Sequence, residues 1–321
     1  MKIEKLTPAF KDYLWGGTKL RDVYRKPCDF DKVAESWELS THPAGESRIS
    51  GGEFDGMTLN EYFKAHPEVL GENVRRFDNF PVLIKLIDAK SPLSIQVHPS
   101  DEYALEHEHE YGKTEMWYIV DCDPGASLYF GVNRAITPEE FRKRIEDNTV
   151  EEVLNRAQVH PGDVFFIEAG TLHAIGAGIL ICEIQQNSNC TYRVYDYGRL
   201  GADGKPRELH IEKALAVSKL TPAEGAGAVP EEKAISGGSA ARLGQCKYFT
   251  TDRYTVDSEI CLDVGGGSFM SLTAVKGSGQ IIGPENTVEF AAGDTVFIPA
   301  DTGAVTVKGK SALVAVSVKG E

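Results

Sequence analysis

Gln96, His98 and Glu115 are side chains able to bind a divalent metal, and they sit in one short stretch of chain. In Leu93-Ser94-Ile95-Gln96-Val97-His98, apolar residues alternate with polar ones. A β-strand sends successive side chains to opposite faces, so Gln96 and His98 are expected on one face, with Leu93, Ile95 and Val97 on the other. Lys113 and Glu115 likewise share a face against Thr114 and Met116. If the two strands are neighbours in a barrel, an amide oxygen, an imidazole and a carboxylate converge. That set suits a borderline ion such as zinc, provided a further ligand arrives from elsewhere.

The elements that must position these residues read as mostly strand. Ala34 to Leu39 is expected to be a strand, and Phe80 to Asp88 is an apolar run broken only by Lys85. A lysine in such a run either snorkels or serves a function. Residues 58 to 70 read as a short helix. Thr137-Pro138-Glu139-Glu140 is a helix start, with a capping hydroxyl, proline in the first turn and acids beside it. That helix is expected to run, with a break near Asp147-Asn148, to Arg156. Strands dominate again from Gln158 to Tyr195, and Thr221 to Ser239, dense in Gly, Ala, Pro and Glu, reads as a linker or long loop.

An internal repeat supports a division near that linker. Pro161-Gly162-Asp163 through His173 aligns without gaps on Ala292-Gly293-Asp294 through Ala304, sharing Gly-Asp, Phe-Ile, Ala and Thr positions. Where the first copy has His173, the second has Ala304. One fold used twice, with chemistry in the first copy only, is the expectation. The expected division is 1–225 as the metal-bearing domain, 226–240 as linker and 241–321 as a second, metal-less β domain.

At 321 residues the chain can bury two real cores. Its net charge of -14 argues against nucleic acid or an anionic membrane surface as partner, because a phosphate backbone needs a basic face. An anionic substrate would need positive charge supplied locally. Six cysteines without a Cys-x-x-Cys pair, no signal-peptide core at Met1-Lys2-Ile3-Glu4-Lys5-Leu6 and no long apolar run point to a cytoplasmic protein with reduced thiols.

Pro-Gly-Asp, an apolar strand and then Gly170-Thr171-Leu172-His173-Ala174 resemble the second motif of the cupin superfamily, with Gln96, His98 and Glu115 standing for the first. Read together, Gln-Val-His-Pro at 96–99, Lys-Thr-Glu at 113–115, Gly-Thr-Leu-His-Ala at 170–174, Asn189-Cys190-Thr191-Tyr192-Arg193 and Trp15-Gly16-Gly17 resemble type I mannose-6-phosphate isomerase. The likeness runs from about residue 6 to 210. It is to the short bacterial form, because Lys113-Thr114-Glu115 replaces the Lys-Pro-Glu of the long forms and the only insert is the helix near 137–156. The resemblance implies a mainly β fold of two cupin (jelly-roll) barrels with that small helical insert in the first. It also implies one zinc per chain held by Gln96, His98, Glu115 and His173, and a small sugar phosphate as substrate.

Interconverting mannose 6-phosphate and fructose 6-phosphate moves a proton between C2 and C1 through an enediolate, and asks for cations facing the developing charge. Three neutral ligands and one carboxylate leave a zinc site net positive. A base must also have its pKa drawn toward neutrality. Glu183 is flanked by apolar residues in Ile181-Cys182-Glu183-Ile184, where desolvation raises a carboxyl pKa, and the resemblance puts an acid at this offset from the arginine in the site. Lys113 is its rival, and the sequence does not choose between them. Arg193 would stabilise the anionic intermediate, and Ser94 and Lys85 are candidates for the substrate phosphate.

Blander readings stand beside these. Glu183 could cap a buried hydrogen-bond network, Arg193 could pair with Asp196, and Lys85 could merely snorkel. His107 and His109 read as a solvated charged loop, and Trp117 and Tyr118 as barrel wall. Two other functions remain open: an iron-dependent cupin oxygenase using His98, Glu115 and His173, disfavoured because Gln96 closes a position oxygen chemistry needs, and a non-catalytic sugar-phosphate-binding cupin.

Overall fold

A computed structural model describes residues 1–201, 204–223 and 227–320. The chain is mostly strand. It divides into two compact units, one of Met1–Lys11, Thr18–Leu86 and Pro230–Glu321, the other of Asp12–Gly17 and Ile87–Val229. Both units are discontinuous in sequence and their limits differ from the linear 1–225, 226–240 and 241–321. No helix among the described residues is long and apolar enough to cross a membrane.

In the first unit a ten-stranded antiparallel sheet is built around the long strands Met270–Ile282 and Gly303–Ser317. Its apolar face, including Leu272, Val296, Val305 and Leu313, forms a core from which water is excluded. Strands Glu35–Leu39 and Ala9–Lys11 pair beside it in the same unit. The stretch expected to be a linker contains a hairpin instead. Lys233–Ile235 pairs with Gly238–Gln245 across Ser236-Gly237, where Gly237 takes φ 80°, a value that favours glycine. Residues 224–226 of that stretch lie outside the described ones.

The second unit carries a five-stranded sheet in the order Tyr192–Tyr195, Ile95–Val97, His173–Ala174, Ser127–Val132, Leu154–Gln158. It also carries the run Val164–Ile167, Glu115–Cys122, Ile179–Gln186. The alternation at 93–98 decides how the five-stranded sheet is dressed. Ile95, Val97, Tyr192 and Val194 pack with Phe141 and Ile145 of the helix Pro138–Glu146 and with Ala214 of the helix Ile211–Val217. The polar partners of these strands are thereby left to the opposite face. Thr137 caps the first of those helices by accepting from Glu140 N, as its sequence predicts. The helix ends at Glu146 and a 3-10 turn covers Val150–Val153, so the expected extension to Arg156 is wrong. Leu154 onward pairs as a strand with Ser127–Val132.

The condition that the Gln96 and Glu115 strands be neighbours is not met: they are not hydrogen-bonded to one another but belong to different sheets. Nor does one strand run from Gly162 to His173. Val164–Ile167 pairs with Glu115–Cys122, the chain turns at Glu168 to Thr171, and His173 begins a strand paired to Gln96. The turn thus carries the chain from one sheet to the other, which is why a glycine at φ 88° stands at position 170.

Both copies of the repeat fold alike. Gly162 donates to Ile119 O and Ile119 to Asp163 O, while Gly293 donates to Ala274 O and Ala274 to Asp294 O. Asp163 Oδ2 accepts from His160 N and Asp294 Oδ2 from Ala291 N, each 2.8 Å. Gly162 and Gly293 adopt φ 102° and 97°.

Candidate active site

The register across the five-stranded sheet places Arg193, Gln96 and His173 side by side, since Gln96 is the direct partner of both others. Directly opposed residues point to the same face, so the three form one row. In the other run, Gln185 and Ile167 flank Glu115, and Glu183 and Phe165 flank Trp117. The two faces meet side chain to side chain.

His98, Glu115 and His173 converge there with almost no solvent exposure. His98 Nε2 lies 3.1 Å from His173 Nε2, and these nitrogens lie 3.5 and 3.3 Å from the two oxygens of Glu115. The Gln96 amide nitrogen is 3.4 Å from His173 Nε2. A ligand role needs the amide oxygen there, a half-turn of the same group. His98 Nδ1 donates to Cys190 O at 2.9 Å and His173 Nδ1 to Thr171 O at 2.8 Å. With the proton of each neutral ring so held, both Nε2 atoms are bare lone pairs facing one another.

The donor set fits a tetrahedral dication. Ligands about 2.0–2.1 Å from zinc stand about 3.3 Å apart along the tetrahedron's edges, close to the separations between His98, His173 and Glu115. Among the described residues neither Glu115 oxygen receives a hydrogen bond of good geometry, and Lys113 Nζ is ion-paired to Oε2. Electrostatics agree. Burial, then the Lys113 ammonium, push His98 down to about 3, and burial holds His173 low as well, so both imidazoles are neutral near pH 7. Burial alone would raise Glu115, but Lys113, His98 and His173 overcome it and hold the carboxyl well below its usual range. The centre therefore presents an ionised carboxylate and two neutral imidazoles without a proton to displace.

Lys113 Nζ lies 2.5 Å from Glu115 Oε2, 3.1 Å from His98 Nε2 and 3.9 Å from Glu183 Oε1. Glu183 is buried, and its Oε2 accepts from Trp117 Nε1 at 2.8 Å. Trp117 also meets the His173 ring edge to face at 5.3 Å. Reading it as barrel wall misses this contact, because residue type reports burial but not where an indole N–H points.

Arg193 does not pair with Asp196, which is instead held by Arg199 and Arg207. Its guanidinium donates to Glu208 O at 2.9 Å, while its buried Nε has no hydrogen-bond partner among the described residues. Burial and then the neighbouring Arg207 draw its pKa below the ordinary arginine value. Ser94 is buried just before the Gln96 strand. Lys85 lies in the first unit, its Nζ 3.5 Å from Glu35 Oε2 and 4.8 Å from the centre of the Trp37 ring. His107 stacks on Tyr103 at 4.0 Å and takes no part in the cluster.

Residues 3–119 match the catalytic domain of type I phosphomannose isomerase, and residues 240–318 match the mannose-6-phosphate isomerase cupin domain. A Bacillus subtilis mannose-6-phosphate isomerase is 39% identical over 304 residues, 94% of each chain. The crystal structure of the Bacillus subtilis mannose 6-phosphate isomerase superposes with a TM-score of 0.91 at 36% identity, covering 98% of this chain and 99% of that one. A mannose 6-phosphate isomerase bound with zinc and yttrium shares the fold, with a TM-score of 0.78 at 19% identity over 99% of this chain and all of that one. The mainly β, cupin-type architecture expected from the sequence is present, as open sheets rather than closed barrels. The chain belongs to the type I phosphomannose isomerase family, the enzymes named mannose-6-phosphate isomerase.

Proposed function

We propose that the chain interconverts mannose 6-phosphate and fructose 6-phosphate, with Gln96, His98, Glu115 and His173 holding one zinc ion. The observation that carries this reading is the meeting of two bare Nε2 atoms and an ionised carboxylate at tetrahedral spacing in a member of this family. The zinc bound in the related fold points the same way. Bound there, zinc supplies a Lewis acid for the sugar carbonyl.

The remaining work falls to the chain's own residues. Glu183 takes the proton from C2, the electron pair of that C–H bond becomes the C1=C2 bond while the C1=O π pair moves onto O1 to give an enediolate, and the proton returns to C1 as O2 gives up its proton and C2 becomes the carbonyl. Trp117 holds one oxygen of Glu183, leaving the other, Oε1, toward Lys113. Lys113, beside the ligands Glu115 and His98, moves the proton between the two sugar oxygens. A second reading exchanges these roles and makes Lys113 the base, favoured by its approach to both ligands. Arg193, in the row with Gln96 and His173, balances the negative charge of the intermediate. Ser94, in the second unit with the ligands, is assigned to the phosphate.

A coupled assay over mannose 6-phosphate, mannose, glucose 6-phosphate and fructose 6-phosphate tests the substrate. Turnover confined to mannose 6-phosphate and fructose 6-phosphate is expected. Turnover of the unphosphorylated sugar at the same rate, or of none of the four, contradicts the reading.

A further inference from the structure

Beyond the ligands, three backbone stretches meet around one buried amide. Gln186 closes the ladder between its strand and that of Glu115: its backbone N donates to Thr114 O at 3.0 Å, and its side-chain Oε1 accepts from Thr114 N at 2.8 Å. Its Nε2 donates to Asp101 Oδ1 at 2.8 Å, and the same oxygen accepts from Gly112 N at 3.0 Å. Asp101 follows closely on His98, and Gly112 and Thr114 lead into Glu115. Gln185 spends both amide hydrogens on Gln186 O and Ser188 O, at 2.8 and 2.7 Å. Ser188 Oγ donates to Tyr111 O at 2.7 Å and accepts from Cys190 N at 3.2 Å. Cys190 O in turn accepts the His98 Nδ1 proton that leaves Nε2 bare. Gln185, Gln186 and Ser188 are all buried.

The geometry points to Gln186, with Ser188, as a positioning residue of the metal centre: one hydrogen-bonded clasp sets the approach of His98 and Glu115 together. The polar atoms named above are each partnered within the clasp or the stretches it joins, and only Gln185 Oε1 among the side-chain atoms of Gln185, Gln186 and Ser188 lacks a hydrogen-bond partner among the described residues. Partnered buried networks rigidify their surroundings. Partners that orient ligands in this way commonly govern metal affinity. The inference rests on the metal-site reading above.

The test measures zinc affinity by competition with a chelator, and the visible spectrum of cobalt-loaded protein, for wild type, Gln186→Leu and Ser188→Ala. Each variant is expected to bind zinc roughly 10–100-fold more weakly and to give an altered cobalt spectrum. Folded variants with affinities within about twofold of wild type and an unchanged cobalt spectrum overturn the inference. Should Gln186→Leu fail to fold, Ser188→Ala decides on the same criteria. Wild-type protein that binds no zinc in this assay overturns the metal-site reading and this inference with it.

Discussion

Glu115 and Lys113 sit 2.5 Å apart in a buried place, and that pair explains why one carboxylate stays ionised beside two neutral imidazoles. The types and spacing of Gln96, His98 and Glu115 were legible because strand alternation is a local property. His173 was legible only through a motif. The two acceptors that orient the rings, Cys190 O and Thr171 O, were not, since a backbone carbonyl has no residue type to read. The bond from Trp117 to Glu183 was hidden for a related reason: both are ordinary strand residues until the pairing of their strands is known. At this scale the proton carrier can be separated from its rival. Glu183→Gln is expected to lower kcat by roughly 10²–10⁴-fold while bound zinc, measured by elemental analysis, stays at the wild-type level. A Glu183→Gln enzyme with near-normal kcat, beside a Lys113→Met enzyme without activity, would give the role of base to Lys113.

Element by element, the strands of the site were easier to foresee than their partners. Period-2 alternation fixes which side chains share a face, but not which strand lies alongside, because pairing is decided by contacts distant in sequence. Hence the alternation left open whether the Gln96 and Glu115 strands are neighbours, and they are found in different sheets. The helix expected to run, with a break near Asp147-Asn148, to Arg156 does stop at Glu146 and continues only as the 3-10 turn Val150–Val153, after which Leu154 onward pairs with Ser127–Val132. The repeat was a surer guide, since its Gly-Asp turn is a local structure with its own chemistry. Gly162 and Gly293, both at a φ that side chains resist, are expected to matter equally whether or not a metal site follows. Gly162→Ala and Gly293→Ala should each cost about 1–3 kcal/mol in urea unfolding. A neutral result at either position would contradict the account of the shared turn.

Across the whole molecule, a chain of net charge -14 is expected to take an anionic sugar, so the cations have to stand where the reaction happens. In the proposed mechanism Lys113 and Arg193 meet that demand in the second unit. Composition made the demand visible, and the fold supplies the surroundings of each candidate: Lys113 stands between Glu115 and Glu183, whereas Arg199 and Arg207 are paired with Asp196. The discontinuous make-up of the two units was not legible, because residues 1–11 and 18–86 carry no mark of packing with residues 230–321. The central claim is that isomerisation depends on one zinc at His98, Glu115, His173 and Gln96. Its most direct measurement is a zinc titration of chelator-stripped protein, following the conversion of mannose 6-phosphate. The account predicts no activity in the stripped protein, a linear rise that saturates at one zinc per chain, and no recovery in His173→Ala. Full activity in rigorously metal-free protein would contradict it.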